Sequence, residues 1–135
     1  MSEAQAIRVF FPGNKRVYAD VFGYEVHTDQ PVEGGGDGTA PSPYALFLAS
    51  LATCAGVYVK GFCDSRALDA GGIELKLRLV PGPMGNIETF AIDIEVPASF
   101  PEKYRDALVH VAEKCAVKQT MQHPPAFSVQ TVVKD

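Results

Sequence analysis

The sequence predicts an α+β protein, and three features of it carry the prediction. Short β-rich runs separated by turn residues fill the first 28 positions. A long uncharged apolar stretch follows, too long for a strand and dense enough to be a buried helix. The strict alternation of Ile73-Glu-Leu-Lys-Leu-Arg-Leu-Val80 then marks a half-buried strand. At 135 residues, the chain suits one domain spanning 1–135.

In order, Ile7–Phe11 and Arg16–Val21 read as strands joined by the turn chemistry of Pro12-Gly13-Asn14. Gly23 leads into a third strand, Tyr24–Thr28, completing a small antiparallel meander. Residues 29–43 form a loop with three prolines and the cluster Gly34-Gly35-Gly36-Asp37-Gly38. No Gly-Lys-Ser/Thr follows and no GxGxxG is present, so this is a connection and not a phosphate cradle. Ser42-Pro43 opens a helix, with serine suited to the N-cap and proline to the first turn. From Leu46 to Phe62 the apolar residues lie all round that helix, which must therefore be covered on most sides. One small chain supplies little cover, so helices packed across a dimer are expected. After Gly71-Gly72, strands at Ile73–Val80 and Thr89–Val96 make a second hairpin around the turn at Pro81–Asn86. Ser99-Phe-Pro-Glu102 matches a capping box and starts a second helix with Tyr104, Leu108, Val111, Ala112 and Cys115 on one face. Phe127–Val133 is expected to be a final strand.

Composition excludes several classes. Apolar residues at 47% and charged residues at 21% are those of a folded chain. A net charge of −4 with scattered basic residues argues against nucleic acid. Met1-Ser-Glu-Ala-Gln5 lacks the basic and apolar segments of an export signal, and the apolar run at Leu46–Val59 falls short of a bilayer's ~20 residues. The expectation is a cytoplasmic protein that engages no membrane.

Three cysteines, Cys54, Cys63 and Cys115, suggest reduced thiols and not a secreted disulfide scaffold. No CxxC, HxxxH or HExxH spacing supports a metal site. Cys54 lies mid-helix, Cys115 on the apolar face of the second helix, and both faces should meet in the core. Cys63 follows Cys54 by nine residues. On one continuous helix the two point in opposite directions, about 13 Å apart along the axis, and cannot bond. A buried pair of cysteines is compatible with redox chemistry and equally with passive packing.

The run Gly34-Gly-Gly-Asp-Gly-Thr-Ala-Pro-Ser-Pro-Tyr-Ala-Leu-Phe-Leu-Ala-Ser-Leu-Ala-Thr-Cys54 resembles the first signature of the OsmC/Ohr family, and Glu113-Lys-Cys115-Ala-Val-Lys-Gln-Thr resembles its second. The resemblance implies an OsmC-like fold, with antiparallel sheets packed on two central helices in an intertwined homodimer. It further implies a thiol peroxidase acting on organic hydroperoxides without metal or organic cofactor. Cys54 would be the peroxidatic residue and Cys115 the resolving one, with an external dithiol as reductant. The chain departs from the family's peroxidases at two points. Ala45 stands where they carry a glutamate, and no arginine or lysine lies between Val17 and Cys54. Arg16, Lys60, Lys118 and His123 remain as candidate cations. The alternative implied is an OsmC-like protein that senses oxidation or binds a small apolar ligand without turnover.

Overall fold

A computed structural model describes residues 6–135; the reading of Met1–Gln5 as carrying no export signal lies outside them. The elements are β1 (Arg8–Gly13), β2 (Arg16–Val21), β3 (Tyr24–Thr28), α1 (Pro43–Ser65), β4 (Glu74–Pro81), β5 (Ile87–Glu95), α2 (Arg105–Ala112) and α3 (Ala116–Gln122). The predicted α+β class is observed. The chain divides into two compact units, Met1–Ala49 and Ser50–Asp135, with the boundary inside α1.

In the first unit β1, β2 and β3 form an antiparallel sheet in that order. Asn14 takes the left-handed conformation, φ 47°, that closes the β1–β2 turn. Cross-strand pairing stacks Tyr18 on His27, with ring centroids 3.8 Å apart, and sets Phe10 edge-on to Tyr18. The loop after β3 is folded around Asp29, which is fully buried. Its carboxylate accepts hydrogen bonds from the Gln30 N–H (2.7 Å), the Thr39 N–H (3.0 Å) and the Thr39 hydroxyl (2.7 Å). These charge-assisted bonds hold the Asp29 carboxyl down at about 2, the Thr39 hydroxyl being the largest influence. Gly36 is required here by space, because a Cβ would fall 2.0 Å from the Gln30 carbonyl oxygen. Ser42 caps α1 as expected, its Oγ accepting the Ala45 N–H at 3.2 Å.

The second unit contains the core. Leu51, Ala55, Val59, Phe62 and Cys63 form the buried stripe of α1. The last three pack with Phe100 and Leu108, and Leu75, Ile94 and Val96 close over them. The β4–β5 register pairs Leu75 with Ile94, Leu77 with Ile92 and Leu79 with Phe90, while Arg78 and Lys76 bond Asp93 and Glu95 on the other face. That is the alternation read from the sequence.

α1 is long and apolar enough to cross a bilayer by length and composition, yet carries this buried core stripe. Its apolar character does extend round the helix, and Val57 is left 68% exposed.

Three expectations are corrected. The second helix does not run on to Cys115. A 3₁₀ turn at Glu102–Tyr104 precedes α2, which ends at Ala112; Cys115 then adopts an extended conformation (φ −50°, ψ 129°) as the N-cap of α3. The capping box is also not formed, since Pro101 and not Ser99 precedes the 3₁₀ turn and no side chain caps it. Phe127–Val133 is not a strand, and residues 124–135 carry no regular structure. A strand needs a ladder partner, and the apolar residues that would make its face are bare, Phe127 at 91% and Val129 at 94% exposure.

Candidate functional site

The break between α2 and α3 sets the geometry of the two cysteines. Cys54 is half-buried at the edge of the core stripe of α1, next to Ala55 and one turn beyond Leu51. Cys115 is buried, 2% exposed, with its sulfur 4.0 Å from the Leu51 carbonyl oxygen. The structure thus brings together Cys54 and Cys115, the two thiols singled out in the sequence. Both are free, and the Cys115 thiol hydrogen-bonds to Cys54.

The two sulfurs are driven in opposite directions. Cys54 is held below the ordinary thiol range, first by the Cys115 thiol and then by the backbone N–H groups of Val117 and Ala116, against an opposing effect of burial. Cys115 is pushed up by burial first and by its neighbour Cys54 second, although the Lys118 and Val117 N–H groups oppose this. Of the two thiols Cys54 is therefore the more readily deprotonated and Cys115 the more firmly protonated. A Cys115 S–H offered both the Leu51 carbonyl and a Cys54 thiolate prefers the charged acceptor.

None of the groups acting on Cys54 is a cation. Three of the candidate cations have partners of their own. Arg16 pairs with Asp37 at 2.9 Å within the first unit, Lys60 pairs with Asp64 along α1, and His123 sits against the Gln119 carbonyl. Lys118 touches the site through its backbone N–H. Backbone donors at Ala116 and Val117 were not foreseen, because no side chain announces them. Their position depends on a helix break that Lys114-Cys115-Ala116 does not signal with glycine or proline.

Cys63 is apart from this pair. It is fully buried in the core, its thiol raised by burial and, secondarily, by Asp64. α1 is continuous through both residues, so the separation of about 13 Å from Cys54 holds. Among the described residues no three His, Cys, Asp or Glu side chains gather as a metal site would require.

The profile of the OsmC-like protein family matches residues 35–130, well over half of the chain and inclusive of both Cys54 and Cys115. No curated protein matches. Solved structures share the fold. A candidate osmotic stress induced and detoxification response protein from Psychrobacter arcticus 273-4 is 24% identical, with a TM-score of 0.69 over 84% of this chain and 85% of that one. An OsmC-like protein from Mycoplasma pneumoniae is 14% identical, with a TM-score of 0.63 over 92% and 91%. An organic hydroperoxide resistance protein OsmC from Legionella pneumophila is 20% identical, with a TM-score of 0.50 over 87% and 88%.

Proposed function

This chain belongs to the OsmC-like protein family, and on that premise we propose that it is a cysteine-based peroxidase that reduces organic hydroperoxides. A redox role is the broader reading, supported by family membership and by the hydroperoxide resistance protein among the structural neighbours. The observation that carries the finer reading is the asymmetric thiol pair, with Cys54 favoured as thiolate and Cys115 kept protonated beside it.

In the cycle, the Cys54 thiolate attacks the distal oxygen of the hydroperoxide. A new S–O bond forms, the O–O bond breaks, and the alkoxide leaves with both electrons of that bond. The Cys115 S–H is placed to supply the proton that turns alkoxide into alcohol. Cys115, now a thiolate, attacks the Cys54 sulfenic sulfur, and the hydroxyl leaves as water after taking a proton from solvent. The resulting Cys54–Cys115 disulfide is reduced by an external dithiol through exchange. No metal or organic cofactor enters these steps. The backbone donors Ala116 and Val117 stand in for the arginine and glutamate that the family's peroxidases carry.

The proposal includes a cytoplasmic homodimer, engaging neither membrane nor nucleic acid. Support for the dimer comes from apolar surface that this chain leaves bare, on Val57 of α1 and along Phe127, Val129 and Val133.

Single-turnover oxidation of the reduced protein by cumene hydroperoxide tests the mechanism. Fast loss of two of the three thiols per chain, abolished in Cys54→Ser, is the expected result. Slow loss, or loss unchanged by that substitution, would sink the peroxidase reading and leave a sensor or a ligand-binding protein.

A further inference from the structure

The first turn of α3 is met by a sulfur from another helix. A helix offers its first N–H groups no acceptor of its own. In α3 the ladder begins only with the Gln119 N–H, which donates to the Cys115 carbonyl at 3.0 Å. The side chain at the N-cap ordinarily serves the earlier donors. Cys115 holds that position and makes no capping bond. Cys54 takes the role instead: beside the Cys115 thiol, its sulfur accepts the N–H groups of Val117 and Ala116. The chain path explains the placement. Cys115 is buried with its sulfur 4.0 Å from the Leu51 carbonyl oxygen, which seats the start of α3 against the turn of α1 that carries Cys54.

Little else holds α3. It has seven residues, none of them buried, and no acidic residue in its first turn to answer the helix dipole. A helix of that length is marginal without tertiary support. The Gln119 amide donates to the Glu113 carbonyl at 3.4 Å on the exposed surface, and the Thr120 hydroxyl bonds only within α3, to the Ala116 carbonyl at 2.9 Å. Residues 124–135 beyond it carry no regular structure. Coupling between the sulfur and the helix is reciprocal. Where the N–H groups of α3 favour an anionic sulfur, the anionic sulfur favours by the same factor the helix that presents them.

We propose that Cys54 is the N-terminal cap of α3, and that joining Cys54 to Cys115 loosens α3 and the segment after it, so that their order reports the redox state of the pair. In the disulfide the Cys54 sulfur is uncharged and a poor acceptor, and the Ala116 and Val117 N–H groups lose their partner. The core of Val59, Phe62, Cys63, Phe100 and Leu108 includes neither member of the pair and keeps its packing. The proposal rests on the redox pair of the proposed function and not on a hydroperoxide as its oxidant.

Amide hydrogen exchange over Gln119–His123 tests this, with the amides of β4 and β5 as the internal reference. Three samples are compared: the reduced protein, its Cys54→Ala variant, and the protein oxidised with diamide. Diamide makes the disulfide without any peroxide; the two thiols give up two electrons and two protons, and the diazene becomes a hydrazine. Thiol counting confirms that two of the three cysteines have reacted. The expected result is exchange about fivefold faster over α3 in both altered proteins, the loss that removal of a helix cap produces, with β4 and β5 unchanged. Unchanged exchange over α3 in Cys54→Ala, which needs no oxidant, would overturn the proposal. So would unchanged exchange in a protein that has lost two thiols, or a rise shared equally by β4 and β5, which reports general loosening. The peroxidase reading is decided separately by cumene hydroperoxide, and its failure would leave these outcomes as they stand.

Discussion

Asp29 grips Thr39 twice, through its backbone N–H at 3.0 Å and its hydroxyl at 2.7 Å, and so ties the two ends of the glycine-rich loop together. The ordinary carboxyl pKa is near 3.9, and in the folded protein it is about 2. A depressed folded pKa gives stability that is present above the unfolded value and is lost as pH falls through the folded one. Asp29→Asn should lower the melting temperature by several degrees at pH 7. The gap between the two proteins should hold down to about pH 4 and close between pH 4 and 2. Thermal melts across that range check it, and a gap independent of pH would show that the charge is irrelevant.

Cys115→Ala removes the largest influence lowering the Cys54 thiol. The pH profile of Cys54 alkylation by iodoacetamide should move to higher pH. In Cys115→Ser, whose hydroxyl still donates, the profile should move less. Equal profiles in all three proteins would assign the activation to the Ala116 and Val117 N–H groups alone.

Gly36→Ala places a methyl 2.0 Å from the Gln30 carbonyl oxygen and within 2.8 Å of the Asp29 carboxylate. The loop must open to admit it. Faster amide exchange at Thr39 and Gly38, which donate into this turn, is the expected signature.

Leu108 is 1% exposed and packs against Val59, Phe62 and Cys63. Leu108→Ala should cost about 2–5 kcal/mol, as truncation of a filled core position does. Denaturant titration measures it; a cost below about 1 kcal/mol would mean that the core collapses around the cavity.

Val129 is 94% exposed within the apolar run from Phe127. If that run is covered by a second copy, Val129→Asp should shift the protein from dimer to monomer in light scattering. An unchanged mass would place the dimer contact elsewhere.

The elements were legible where periodicity is local. β2 and β3 fall on the expected residues, and α1 begins at the expected Ser42-Pro43 cap, because turn residues and alternation act over a few positions. The helix around Cys115 was not legible. Its apolar spacing is helical through Ala112 and continues to Cys115, so periodicity alone extends the helix past the point where the chain breaks. The strand at Phe127–Val133 has the residues of a strand but no ladder within this chain, and pairing is a property of surroundings and not of sequence. The same distinction holds at the site. The thiols were visible as residues, whereas the N–H groups that favour the Cys54 thiolate belong to the backbone and became visible only with the geometry.

Cys63 carries a consequence for how the protein ages. Sealed in the core and held as the neutral thiol, it is a spectator in the native state. Unfolding releases it as a competent nucleophile, and a chain that unfolds while Cys54 and Cys115 are joined then contains a disulfide and a third thiol on one flexible strand. Exchange among the three scrambles the pairing and links chains to one another. Fidelity of the proposed Cys54–Cys115 pairing is therefore maintained by the hydrophobic core, and a loss of packing around Leu108 should surface as covalent aggregation under oxidising conditions before it surfaces as loss of fold.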